Sequence, residues 1–105
     1  MADPFGRFNG IFFEKSRLAI VALLYRDEYA PFTTLRDRIE ASDGAAYAHL
    51  ERLIEGGYLE KRKEVAGMKA QTVYRLTKVG RDEFEAYLSA VEELLVSSAH
   101  KEGKK

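Results

Sequence analysis

Cysteine and tryptophan are absent from the 105-residue chain, and histidine and proline occur only twice each. Without cysteine there is no disulfide, no thiolate nucleophile and no thiolate-bound zinc. The histidines, His49 and His100, are too few for an imidazole cluster, and His100 falls in a polar tail. His49 reads as a half-buried helix residue. No metal and no cofactor are therefore expected. Paired carboxylates, a nucleophile beside a base, and a glycine-rich phosphate loop opening a helix are all missing, so the chain is not expected to be an enzyme. Long apolar runs are missing too. The longest uncharged one, Leu18 to Tyr25, is far below the ~20 residues a membrane helix needs, so no membrane is expected. With Asp3 near the start and no early apolar stretch, no signal peptide is expected, and the reading is cytoplasmic.

Net charge is the last absence. Seventeen Lys and Arg balance seventeen Asp and Glu, which argues against an electrostatic partner until the distribution is considered. From Glu60 to Arg81 there are seven basic and two acidic residues, a local charge of +5. From Asp82 to Leu95 there are five acidic and no basic residues, a local charge of −5. Charge is segregated, and a segregated charge can still present a positive face. Hydrophobic content of 46% is that of a globular chain, and the length suits one domain.

Residues 1–13 form an apolar segment carrying Phe5, Phe8, Ile11, Phe12 and Phe13, expected to pack on the domain or on a second subunit. Residues 14–81 carry the main elements. Glu14 to Arg26 reads as a helix with Leu18, Val21, Leu24 and Tyr25 on one side. Asp27 to Phe32 reads as a connector, and Thr33 as the N-cap of a short helix through Glu40 with Leu35 and Ile39 inward. Ser42 or Asp43 caps the next helix, which runs to about Glu55, buries Ala46, Leu50, Leu53 and Ile54, and stops at Gly56-Gly57. Tyr58 to Lys63 and Gln71 to Thr77 read as strands about a tip spanning Glu64 to Ala70. Thr77 caps the last helix, whose part over 82–96 is the expected dimerisation helix, and beyond it 97–105 is expected to fray. Phe84, Tyr87, Leu88, Val91, Leu94 and Leu95 form its heptad-like stripe, longer than a small domain needs to cover itself.

Helix, helix, basic hairpin is the order of a winged helix-turn-helix. The expected fold is therefore α+β and mostly helical, with a two-stranded wing and a long C-terminal dimerisation helix. Three stretches resemble small winged-helix transcriptional regulators of the MarR/ArsR-like group. They are Arg17-Leu18-Ala19-Ile20, the run from Ala45 to Leu59 containing His49-Leu50-x-x-Leu53-x-x-x-Gly57-Tyr58, and Thr72-x-Tyr74-x-Leu76-Thr77-x-x-Gly80-Arg81. The resemblance covers about residues 15 to 95. It implies a homodimer that places its third helix in the major groove of double-stranded DNA and its hairpin along the backbone.

On that reading the base-reading candidates are Tyr47, Arg52 and Glu51, since Glu51 can accept from cytosine. The candidates for backbone contacts are Ser42, Lys61, Arg62, Lys63, Lys69, Gln71 and Arg75. The chain departs from the family at Ala45, Tyr47 and Ala48, where relatives usually carry polar residues. Alanines cannot hydrogen-bond base edges, so direct readout should be thin. The wing also carries Ala70-Gln71 where many relatives have more arginine. The competing reading is a winged-helix module that binds protein and not DNA, its basic strands serving only to discourage strand-to-strand aggregation. No residue pattern names a small-molecule effector, an operator or the sign of regulation.

Overall fold

The computed structural model describes residues 14–103. In chain order the elements are α1 (Lys15–Asp27), β1 (Tyr29–Pro31), α2 (Phe32–Arg38), α3 (Asp43–Glu55), β2 (Leu59–Ala66), β3 (Lys69–Leu76) and α4 (Lys78–Gly103). Glu14 starts α1 by accepting the Arg17 N–H on its carboxylate at 2.8 Å, which satisfies one of the unpaired donors of a first turn. Ser42 does the same for α3, its Oγ accepting the Ala45 N–H at 3.1 Å. Gly57, at φ +85°, closes α3 in a conformation that costs a residue without Cβ little. Tyr58 N–H returns to the Leu53 carbonyl at 2.9 Å, and β2 begins at the next residue.

The three helices before the hairpin and the sheet bury one core. Ile20, Val21 and Leu24 of α1, Leu35 of α2, and Leu50 and Leu53 of α3 are all but sealed from solvent. Leu59, Tyr74 and Leu76 close the core from the sheet side and Phe84 of α4 from the end. Among the described residues no buried side-chain polar atom lacks a partner.

Several boundaries differ from expectation. The stretch read as a connector contains β1, which pairs with β3 through Tyr29–Arg75, Ala30–Tyr74 and Pro31–Val73, so the sheet has three antiparallel strands in the order β1-β3-β2. Three residues ending in proline carry no strand signal. The pairing comes from the open edge of β3, and an edge is where a residue lacking an N–H is tolerated. Pro31, not Thr33, precedes the first turn of α2, which makes no side-chain cap and ends at Arg38 instead of Glu40. The hairpin is longer than its composition suggested: β2 runs to Ala66, β3 starts at Lys69, and only Gly67 and Met68 make the turn. Gly67 has φ +65°, as tight hairpin turns require. Finally, α4 begins at Lys78, directly after its expected cap Thr77, and its backbone continues to Gly103 instead of fraying after 96, because each residue added to an existing helix gains a hydrogen bond without a new nucleation cost. The apolar segment 1–13 lies outside the described residues.

Phe84, expected on an outward seam, is 5% exposed and belongs to this chain's own core. Its ring packs 5.2 Å from Tyr25 and 6.2 Å from Tyr87. The stripe divides after this point: Leu88, Leu94, Leu95 and Val96 are 41 to 65% exposed. The start of α4 is stitched to the end of α3. The Thr77 hydroxyl donates to the Gly57 carbonyl at 2.6 Å and accepts the Gly80 N–H at 3.0 Å. At Gly80 a Cβ would overlap the Tyr58 carbonyl oxygen, so this close crossing admits only glycine.

Candidate nucleic-acid interface

The α2–α3 turn sets how α3 is presented. Arg36 of α2 donates to Asp43 in the first turn of α3 at 2.9 Å and to Asp37 at 3.0 Å. The acid at that turn also suits the positive end of the helix. Arg17 of α1 reaches His49 Nδ1 at 3.0 Å, which ties α1 to the middle of α3. Because arginine can only donate, Nδ1 accepts and the ring proton is assigned to Nε2. Neither link between helices had a local sequence signal, since Asp43 lies seven residues from Arg36 and His49 thirty-two from Arg17. With Ala46, Leu50 and Leu53 turned into the core, Asp43, Gly44, Tyr47, Ala48, Arg52 and Glu55 are left facing outward.

Strand alternation divides the basic residues of the hairpin. Lys61 pairs with Tyr74 and Lys63 with Thr72, in the same row as the core residues Leu59 and Leu76, so this row faces the α3 side. The pairs Glu60–Arg75, Arg62–Val73, Glu64–Gln71 and Ala66–Lys69 turn to the other face. Arg62, Lys69 and Arg75, expected as DNA backbone ligands, are therefore on the row away from α3, with Gln71 in their set. Each of the two arginines already has an acidic neighbour on that face, Arg62 with Glu64 and Arg75 with Glu60, both at 3.0 Å. Composition counted these charges together, and the pleat separates them.

A groove of about 630 Å³ opens between the start of α2, α3 and the hairpin, with Phe32, Thr33, Tyr47, Lys61, Lys63 and Tyr74 among its walls and Arg62 and Gln71 of the other row also bordering it. Phe32 and Thr33 were not anticipated as wall residues, because their role depends on where β1 delivers them. Lys61 does not stand free in this groove. Its Nζ is 2.6 Å from Glu51 Oε2 and 5.4 Å from the centroid of the Tyr47 ring. The hydrogen bond to Glu51 holds the Lys61 ammonium above its ordinary pKa. Burial, first of all, pushes the Tyr74 hydroxyl up as well. Glu51, expected to accept from cytosine, thus already accepts from Lys61 within the chain.

The other candidates are placed as follows. Tyr47 is 51% exposed, and Arg52 is exposed with no side-chain partner among the described residues. The Ser42 hydroxyl oxygen accepts at the helix start, and its O–H remains a donor at an exposed position. Lys63 and Lys69 are exposed on the hairpin without ion pairs among the described residues. At the hairpin tip Val65 is 76% exposed and Met68 is fully so. The described residues contain no cluster of His, Asp or Glu spaced to hold a metal ion, and no helix long and apolar enough to cross a membrane.

Residues 16–95 match the family model of the winged helix DNA-binding domain. The chain is 34% identical over 84 residues to the uncharacterized protein MJ0432 of Methanocaldococcus jannaschii, a match covering 80% of this chain and 91% of that protein. In three dimensions it is similar to a transcriptional regulator homologue protein from Pyrococcus horikoshii OT3, with a TM-score of 0.76 and 24% identity over 85% of this chain and 88% of that one. It is also similar to Bacillus subtilis PadR in complex with operator DNA, with a TM-score of 0.57 and 24% identity over 67% of this chain and 44% of that one. The two structural likenesses are likenesses of fold.

Proposed function

The chain belongs to the family of winged helix DNA-binding domains, and from that premise we propose that it regulates transcription by binding duplex DNA as a homodimer. In this reading α3 enters the major groove, with Tyr47 and Arg52 against base edges. The inner row of the hairpin lies along the flanking backbone, with Lys63 on phosphate. The observation that carries the reading is the inner groove: an outward helix face and a lysine-bearing strand row converge on one concave surface. PadR, of similar fold, has been captured on operator DNA, which supports DNA as the partner.

The second subunit is proposed from the far half of α4. Leu88, Leu94, Leu95 and Val96 expose apolar surface on a helix that this chain's own core has no need to cover. A partner helix burying Leu88, Val91, Leu94 and Leu95, with Tyr87 at the edge, would form a seam of coiled-coil type. A protein that reads chromosomal DNA acts in the compartment that holds it, here taken as the cytoplasm.

The test is a titration of the protein against random duplex and against duplex from its own genomic upstream region, at two salt concentrations. Binding with a steep loss of affinity at higher salt is the expected result. No binding to either duplex at low salt would leave a protein-binding winged-helix module as the better reading.

A further inference from the structure

The cluster of Glu51, Lys61 and Tyr47 sits on the surface assigned to DNA, yet its acid and base already satisfy one another. Tyr47 and Glu51 are one helical turn apart on α3. Lys61 reaches both from the neighbouring strand, at 5.4 Å from the ring centroid and 2.6 Å from the carboxylate. The two charged side chains are 39% and 29% exposed, so the pair is partly sheltered but open to exchange. An unpaired carboxylate here would repel phosphate. A paired one occupies the lysine that phosphate would use.

We infer that Glu51 is a specificity-determining residue that stands in for phosphate, holding Lys61 back from arbitrary duplexes and releasing it where Tyr47 engages a preferred base. The inference rests on the DNA reading above. Exposed ion pairs are weak, so a phosphate of correct placement can displace the carboxylate. The Tyr47 ring is the second group steadying the ammonium. When the ring moves onto a base edge that contact loosens, which couples readout to release. On an arbitrary duplex the ring gains no base contact and the pair persists. Lys61 then contributes nothing to the release of counterions that drives non-specific binding.

Four proteins test this: the wild type, Glu51→Gln, Lys61→Met and the double variant. Each is titrated across a salt series against a random duplex and against a duplex that the wild type selects from a random pool. Circular dichroism checks the fold of each. Glu51→Gln should tighten random-duplex binding about three- to tenfold at low salt and steepen the salt slope by about one, as one freed cation does. The selected duplex should gain less, so the affinity ratio between the two duplexes falls. In the Lys61→Met background the same Glu51→Gln change should leave the slope where it was. An unchanged slope and affinity in Glu51→Gln overturns the inference. So does a gain of equal size in the Lys61→Met background, which would mean that Glu51 acts by plain repulsion. A wild type that binds no duplex at any salt overturns the DNA reading and this inference together, whereas a binding wild type with an indifferent Glu51→Gln variant overturns the inference and leaves the DNA reading standing.

Discussion

Gly80 is where a single atom decides most. Its Cα lies so close to the Tyr58 carbonyl that a methyl group would occupy the same space. Both neighbours are backbone-bound, since Thr77 N–H donates to that carbonyl at 3.0 Å and Arg81 N–H closes the first turn of α4. Gly80→Ala should therefore lose about 1–3 kcal/mol, the usual cost of forcing extra volume into a packed site. A thermal melt should show this as a fall of several degrees. Two tyrosines make a second residue-scale prediction. Tyr25 donates to Glu85 at 2.8 Å, and that hydrogen bond is the main reason its pKa is raised. Tyr74 is raised chiefly by burial. A raised folded-state pKa means the native protein keeps its proton longer than the unfolded chain. The associated stability is present below the ordinary tyrosine value near ~10 and is lost as pH climbs through the folded value. Melting temperature should fall in alkali above that point, and Tyr25→Phe should remove part of the fall.

Among the elements, the hairpin separates its charges by face and α3 separates its roles by turn. Lys63 lies on the row that faces α3, whereas Arg62 and Arg75 lie on the other row with acidic neighbours. Reversing charge at Lys63 should weaken binding to every duplex about equally and flatten the salt slope by roughly one, for the one lost phosphate contact. Reversal at Arg62 and Arg75 should change the slope far less, and an equal change would show that both faces meet DNA. On α3 the prediction is different in kind. Tyr47→Ala and Arg52→Ala should each narrow the gap between preferred and random duplex, by about 1–3 kcal/mol for a lost base contact. Both side chains are exposed, so circular dichroism should stay native. An unmoved ratio would mean that this helix does not read bases.

At the scale of the molecule, α4 carries two functions along one length. Its first turns complete the core through Phe84 and Ala90, and its later turns expose Leu94, Leu95 and Val96. At 1.5 Å per residue the 26-residue helix is about 39 Å long, in a molecule 62 Å in its longest dimension. Leu88→Glu with Leu95→Glu should convert the proposed dimer into a folded monomer, because a buried unpaired charge is too costly for such a seam. Sedimentation checks the outcome, and a wild type that already sediments as a monomer would end the dimer proposal. Since two winged-helix units on one duplex share a single binding event, the monomer should also lose affinity steeply.

What the residues determined unaided was whatever depends on near neighbours. Ser42 before a helix, Gly56-Gly57 after it, the spacing of Ala46, Leu50 and Leu53, and Thr77 ahead of α4 are local signals, and each is where the sequence placed it. The family motifs were legible for the same reason: Tyr74, Leu76, Thr77 and Gly80 are one continuous run of core, cap and crossing. The third strand was not legible, because Tyr29–Pro31 becomes a strand only by meeting the free edge of β3. Nor was the fate of the charges. Whether a lysine is spent on Glu51 or left for phosphate, and on which face an arginine stands, depends on how the hairpin packs beside α3. Charge and hydrophobic period are properties of the chain. Their pairing is a property of distances between elements, and only the folded protein sets those.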